Sequence, residues 1–279
     1  MKQEKISNFI TYIALTILSF IWLFPIAWLV MQSFRGEGGA FTSYIIPKTW
    51  TLNNYIKLFT ETRLFNFPKW FMNTLYVSVF SCAITTIIVL LTSYTFSRLR
   101  FKMRKPLMNI ILILGMFPGF MSMVAIYHIL KAFGMVQSLT SLILVYSGGA
   151  AMGYYIAKGF FDTIPNSIDE AAIIDGATKN QIFWLITLPM SKPIIVYTVL
   201  TSFIAPWVDF IFVSVIMKDN YLNYTVALGL FQMISRENIT AYFTQFCAGA
   251  VVIAIPITIL FIVMQKYYVS GVTAGGAKG

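Results

Sequence analysis

The sequence predicts an all-α integral membrane protein with six transmembrane helices. Two observations carry this fold class: composition and the length of the apolar segments. Apolar residues make up 58% of the 279 residues and charged residues only 11%, whereas soluble domains carry about half apolar and about a quarter charged residues. Six segments are apolar over the roughly 20 residues that a helix needs to cross the hydrocarbon core. This composition argues strongly against a soluble globular protein, and it excludes intrinsic disorder and a disulfide-stapled secreted module.

The six segments together fill most of the chain, so we expect one transmembrane domain over residues 1–279. The predicted spans are residues 9–31, 71–96, 107–130, 139–161, 193–217 and 242–268. The first is too long for the apolar core of a signal peptide and no small-x-small cleavage site follows it, so we interpret it as a retained helix. Pro25, Pro118, Pro206 and Pro256 lie inside spans. They indicate either packing kinks or a bundle that lines a cavity.

Charge indicates that both termini face the cytoplasm. In that orientation 12 of the 20 Lys and Arg residues lie inside and the other eight outside. Five of the inner ones fall in the short segment 98–105, and short basic loops orient membrane proteins most strongly. We therefore interpret the net charge of +10 first as a determinant of orientation in the membrane.

Residues 162–192 predict a helix–turn–helix on the cytoplasmic surface. Ser167 and Glu170 have the spacing of a capping box, and Asp169 complements the positive end of the helix dipole. Gly176 can adopt the left-handed conformation that ends a helix. A second apolar helix follows, and we expect Pro189 to close it.

This segment resembles the EAA loop of ABC importer permeases. The matching residues are Glu170-Ala171-Ala172, then Gly176 after three intervening residues, then Ile186-Thr187-Leu188-Pro189 after nine more. In that family the loop docks into a cleft on a cytoplasmic ATPase, and a small-residue helix suits such close approach. The resemblance implies that the ATPase-coupling residues are Glu170, Ala171, Ala172, Asp175, Gly176, Ile186, Leu188 and Pro189. The alternative is that Glu170 only caps its helix, and both roles can hold together.

The resemblance extends over most of the chain. Residues 51–55, 71–75 and 93–98 look like the carbohydrate-uptake importers, and residues 271–279 are similar to the tail of the smaller maltose-type permease. That tail implies a second ATPase contact, by Gly275, Gly276, Ala277, Lys278 and Gly279. A frayed terminus is the alternative. One departure is Val208, where many family members have asparagine.

The resemblance implies a subunit that transports and does not catalyse. It forms half of the pathway of an ATP-driven sugar importer in the bacterial cytoplasmic membrane, most simply for maltose or maltodextrin. A galacto-oligosaccharide or another oligosaccharide is the alternative substrate. The implied partners are a second homologous permease, two ATPase subunits that bind ATP and Mg²⁺, an extracytoplasmic sugar-binding protein, the sugar and membrane lipid, with no nucleic acid. Two other classes, a secondary transporter and a membrane-embedded glycan enzyme, remain as remote alternatives.

The remaining candidate residues are few. Asp209 is the one acid inside a predicted span, where burying it unpaired costs about 2.5–3.5 kcal/mol, so it lines the pathway or ties helices together. His128 is the only histidine and cannot form a metal site alone. Cys82 and Cys247 are expected to be buried free thiols. Phosphate-binding and zinc-protease motifs are absent, so we expect no catalytic residue, metal or cofactor on this chain.

Overall fold

The structure, a computed structural model, describes residues 2–117 and 119–276 and is helical. Among these residues the β pairing is confined to one isolated bridge, Arg35 with Trp50. The all-α prediction is therefore confirmed. In chain order the helices are α1 (Lys2–Ser33), α2 (Asn53–Thr60), α3 (Phe67–Arg98), α4 (Arg104–Met116), α5 (Gly119–Ala132), α6 (Leu139–Gly148), α7 (Ala151–Asp162), α8 (Asn166–Ile174), α9 (Lys179–Met190), α10 (Lys192–Val208), α11 (Ile211–Met217), α12 (Val226–Met233) and α13 (Ile239–Gly276).

Helices long and apolar enough to cross a membrane occur singly and as bent pairs. Within the described residues α1, α3 and α13 each meet the requirement alone. Three pairs meet it together: α4 with α5, α6 with α7, and α9 with α10, bent by 102°, 41° and 79°. By length and composition, the described residues thus contain three helices able to cross a membrane, or up to six if each bent pair is one span.

The breaks fall largely away from the prolines that predicted kinks. Helices α1, α10 and α13 continue through Pro25, Pro206 and Pro256. Pro118 lies outside the described residues. Phe117 before it has extended backbone, with ψ 133°, as expected for a residue that precedes proline, and α4 ends there.

The last helix is longer than predicted. Helix α13 runs to Gly276, beyond residue 268, where the predicted last span ends. No proline interrupts this stretch, so the helix continues through its glycines. Residues 277–279 lie outside the described residues.

The chain forms two compact units, of which the first comprises residues 1–68 and 229–255. Its polar centre is Asn54, whose amide donates to the carbonyl oxygens of Ser33 at 2.9 Å and Arg35 at 2.8 Å. The Thr244 hydroxyl donates to the Asn54 amide oxygen at 3.0 Å. These bonds tie α2 to α13 and to the end of α1. The apolar window of α1 is 0% buried, so its side chains are available to lipid or to other apolar helices.

The second unit comprises residues 69–228 and 256–279 and is built around α3. The apolar window of α3 is 44% buried, the largest share of the three single spans. Near its N-terminal end the Asn73 amide donates to the carbonyl oxygens of Leu222 and Tyr224 at 2.8 and 3.0 Å. Near its other end Tyr94 packs on Phe183, with ring centroids 4.7 Å apart. Helix α3 thus contacts the connection between α11 and α12 near one end and α9 near the other.

Candidate functional site

The first surface helix starts differently from the prediction. Helix α8 begins at Asn166, directly after Pro165, and no side chain caps its N-terminus. The predicted capping box of Ser167 and Glu170 is therefore wrong. Both residues already lie within the helix because Pro165 starts it, and the Glu170 side chain is exposed.

The end of α8 is set by Gly176, as predicted. Its φ is +86°, in the left-handed region. The amide of Gly176 donates to the Ile173 carbonyl at 3.0 Å, and the amide of Ala177 donates to the Ala172 carbonyl at 2.9 Å. This pair of bonds is a Schellman motif, which satisfies carbonyls that the helix end would leave open. The turn is therefore fixed by the backbone.

The second surface helix begins with a capping box that the sequence analysis missed. The Thr178 hydroxyl oxygen accepts from the Gln181 amide at 3.3 Å, and the Gln181 side-chain oxygen accepts from the Thr178 amide at 2.8 Å. The Thr-x-x-Gln spacing was the available signal. Helix α9 also runs through Pro189 to Met190, so the expectation that Pro189 closes it is wrong. A π-helical turn over Ile182–Thr187 precedes the proline, and such a wider turn absorbs the interrupted hydrogen-bond pattern.

Arg98, the last residue of α3, contacts the residues that lead into helix α8. Its Nη2 donates to the carbonyl oxygens of Phe161 at 3.0 Å and Ile164 at 2.7 Å, and its Nη1 donates to Asn166 Oδ1. Its Nε lies 3.4 Å from Asp169 Oδ2 in an ion pair whose side chains are only 7% and 16% exposed. One guanidinium thus joins α3 to the end of α7 and the start of α8.

A second set of contacts surrounds Asp162 at the end of α7. The Ser97 hydroxyl donates to its Oδ1 at 2.6 Å and Lys158 Nζ to its Oδ2 at 2.5 Å. Arg104 donates to the Ser97 carbonyl at 3.1 Å. Arg98 and Arg104, treated above as orienting charges, therefore also make structural contacts.

The residues expected to contact a partner differ in exposure. The exposed ones are Glu170, Ala171, Asp175, Gly176 and Pro189. Ile186 and Leu188 are half-buried, and Ala172 is buried, with 8% exposure. Ile174 and Leu185, which were not predicted as site residues, are 86% and 71% exposed. The outward surface of α8 and α9 therefore combines small, acidic and apolar groups.

Asp209 lies at the break between α10 and α11. Its Oδ2 accepts a hydrogen bond from the Tyr146 hydroxyl at 2.9 Å, and its Oδ1 accepts from the Phe212 amide at 3.0 Å. The carboxylate thus caps α11 and ties it to α6, and it also borders a cavity of about 680 Å³. Of the predicted tail residues, Gly275 and Gly276 end α13, and Ala277, Lys278 and Gly279 lie outside the described residues.

Cys82 and Cys247 are free and buried, as predicted. Within the described ranges, no group of His, Cys, Asp and Glu side chains is arranged to hold a metal ion.

A bundle of long apolar helices with a braced helix pair between two of them defines a polytopic membrane subunit. The chain belongs to the family described as binding-protein-dependent transport system inner membrane component, which matches residues 84–273. It is therefore a membrane-embedded transport component and not an enzyme.

Relatives match nearly the whole chain. It is 37% identical over 270 residues to the galactooligosaccharides transport system permease protein GanQ of Bacillus subtilis (strain 168), covering 96% of this chain and 95% of that protein. It is 35% identical over 277 residues to the maltodextrin transport system permease protein MdxG of the same organism, covering 99% and 98%.

Solved structures support the fold. A chain from a bacterial ABC transporter involved in the import of the acidic polysaccharide alginate superposes with a TM-score of 0.79 at 21% identity, covering 96% of this chain and 98% of that chain. At this identity the likeness concerns the fold alone.

Proposed function

We propose that this chain is a permease subunit of an ATP-driven ABC sugar importer, and that residues 162–192 transmit the ATPase movement to the membrane helices. The observation that carries the proposal is the bracing of an exposed helix. Glu170 and Ala171 face outward, while Arg98 links the same helix to α3, the most buried of the single spans. A force applied to α8 is thereby passed to α3.

The proposed topology has six spans with both termini in the cytoplasm. The spans are α1, α3, the bent pairs α4 with α5 and α6 with α7, α10 with α11, and α13. The 79° bend between α9 and α10 supports a surface position for α9, because a helix lying nearly perpendicular to a span runs along the membrane.

The proposed assembly follows the same reasoning. A second, homologous permease completes the pathway, two ATPase subunits bind ATP and Mg²⁺, and an extracytoplasmic binding protein delivers the sugar. The half-buried Ile186 and Leu188 and the exposed Ile174 offer apolar contacts to an ATPase groove, and Glu170 offers a carboxylate to a basic group. Gly275 and Gly276, with residues 277–279, form a second contact in this proposal.

The proposed substrate is maltodextrin, supported by the resemblance of the tail to maltose-type permeases and by 35% identity to a maltodextrin permease. Galacto-oligosaccharide is the second candidate, because identity to a galactooligosaccharide permease is 37%. The test is uptake of radiolabelled maltotriose and galactotriose by cells that carry or lack this chain. Maltotriose uptake that requires the chain supports the first candidate, and galactotriose uptake alone supports the second. If both sugars are taken up equally well without this chain, both proposed substrates are contradicted.

A further inference from the structure

The cavity beside Asp209 is large enough for a ligand. Its volume of about 680 Å³ falls within the range of small-molecule sites, roughly 300–1,000 Å³. Helices α3, α5, α6, α7, α10 and α11 of the second unit contribute to its wall. Its polar lining comprises Thr85, Ser122, Tyr146, Tyr197, Thr198, Thr201, Ser202 and Asp209.

Three hydroxyl groups of α10 in this lining use their protons inside the protein. Thr198 donates to the Ile194 carbonyl at 2.9 Å, and Thr201 donates to the Tyr197 carbonyl at 2.9 Å. Ser202 donates to the Thr198 carbonyl at 2.5 Å. A hydroxyl that donates to its own helix keeps acceptor lone pairs free. Thr201 and Ser202, which are exposed and half-buried, therefore offer acceptors to the cavity, whereas Thr198 is buried.

The same pattern holds on the opposite wall. Ser122 donates to the Gly119 carbonyl at 2.8 Å, and Tyr146 donates to Asp209. The Asp209 carboxylate accepts two hydrogen bonds and has about four lone-pair sites, so it has acceptor capacity left. No Lys, Arg or His is among the described residues that line the cavity. The wall is thus rich in acceptors and carries negative charge without a compensating cation.

We propose that this cavity is a contact site for neutral oligosaccharide and that Asp209 determines specificity against acidic saccharides. A neutral sugar presents many O–H donors, which match a wall of acceptors. A uronate carboxylate would lie beside Asp209 with no cation to pair it, and like charges in a site of low dielectric repel strongly. The aromatic rings of Phe120, Tyr197 and Phe212 supply apolar surface for sugar faces. The inference rests on the proposed sugar-import function and narrows its substrate class.

The test is charge-selective thiol labelling in the assembled complex in proteoliposomes. Ser202→Cys is introduced into a Cys82→Ser, Cys247→Ser background and labelled with a cationic or an anionic methanethiosulfonate. Asn180→Cys, on an exposed position of α9, is the control for intrinsic reagent reactivity. We expect the cationic-to-anionic rate ratio at Ser202→Cys to exceed that at Asn180→Cys several-fold. Adding Asp209→Asn should remove this excess and leave the Asn180→Cys ratio unchanged.

Tyr146→Phe separates charge from structure. It deletes the hydroxyl that ties Asp209 to α6 but keeps the carboxylate, so the excess should persist. Maltotriose should slow labelling of Ser202→Cys, and a trisaccharide bearing glucuronate should slow it less at equal concentration. Asp209→Asn should reduce that difference.

The inference is overturned by a rate ratio at Ser202→Cys equal to the control, by loss of the excess in Tyr146→Phe, or by labelling that neither maltotriose nor galactotriose slows. Labelling needs no ATP turnover. Absence of protection in a complex that imports maltotriose thus overturns this inference alone, whereas protection in a complex that transports no sugar contradicts only the proposed function.

Discussion

Arg98 at the end of α3 and Asp169 in the first turn of α8 form an ion pair that is almost withdrawn from solvent. The two side chains are 7% and 16% exposed, and Nε lies 3.4 Å from Oδ2. The same guanidinium binds two carbonyl oxygens and Asn166. Since Nη2 of Arg98 donates to two backbone carbonyl oxygens and Nη1 to Asn166, the pair fixes the direction in which α8 leaves α3. The proposed coupling depends on this contact between α3 and α8.

Removing the guanidinium should disconnect α8. Arg98→Ala leaves Asp169 without its partner, and breaking a buried pair in this way costs about 3–5 kcal/mol. We expect sugar uptake to fall by about tenfold or more, the equivalent of about 1.4 kcal/mol or more, with the chain still inserted. Arg98→Lys keeps the positive charge but lacks the planar guanidinium that reaches both carbonyl oxygens. Sugar uptake by this variant should therefore lie between that of the unchanged protein and that of Arg98→Ala.

Arg100→Ala is the matched control, because it removes the same charge from the same segment at an exposed position. It should transport normally. An equal loss of sugar uptake in Arg98→Ala and Arg100→Ala would mean that uptake depends on the positive charge of this segment and not on the contacts between Arg98 and α8.

A proline at Gly176 should uncouple ATP hydrolysis from uptake. The position has φ +86° and its amide donates to Ile173, whereas proline requires φ near −65° and has no donor. The expected result is ATP hydrolysis without proportionate sugar uptake, measured on the same proteoliposomes. Gly159→Ala, a helical glycine whose added Cβ meets nothing within 4 Å, should remain coupled. Normal sugar uptake by Gly176→Pro would show that the turn at Gly176 is not needed for coupling.

The capping box at Thr178 should be measurable locally. Thr178→Ala removes the acceptor of the Gln181 amide, and loss of such a cap costs about 0.5–2 kcal/mol. We expect faster hydrogen exchange at the first amides of α9. Ser167→Ala should leave exchange in α8 unchanged, because α8 has no side-chain cap. The opposite pattern would restore the Ser167 and Glu170 box that the sequence favoured.

Deletion of residues 275–279 should lower sugar-stimulated ATP hydrolysis, because the proposed second contact with the ATPase is removed. Insertion and assembly are checked by detergent extraction and co-purification of the complex. Unchanged hydrolysis in reconstituted vesicles would reduce this end of the chain to a terminus without a contact role.

The features that the sequence predicted correctly are those that depend on local chemistry. Apolar length predicts the helices, and a glycine after a short helix predicts the left-handed turn at Gly176. Helix breaks were harder, because Pro25 and Pro256 are accommodated in continuous helices, whereas α10 ends two residues after Pro206, at Val208.

Contacts between residues far apart along the chain could not be predicted from the sequence. Arg98 lies 71 positions before Asp169, and nothing in a basic segment distinguishes a buried guanidinium from an orienting charge. Asp209 was correctly singled out as an acid needing a partner, but its donor, Tyr146, is 63 positions away. Its hydrogen bonds and its place on a cavity wall follow only from tertiary packing.

The most direct test of the account is cross-linking from α8 to the ATPase in the assembled complex. Ala171 is small, exposed and beside Glu170, so Ala171→Cys carrying a short photoreactive group should cross-link to an ATPase subunit. Ala172→Cys, which is buried, should cross-link weakly or not at all. Efficient cross-linking at Ala171 that falls in Arg98→Ala is the predicted result. Absence of any ATPase adduct from Ala171 in an active complex would contradict the claim that this segment contacts the ATPase.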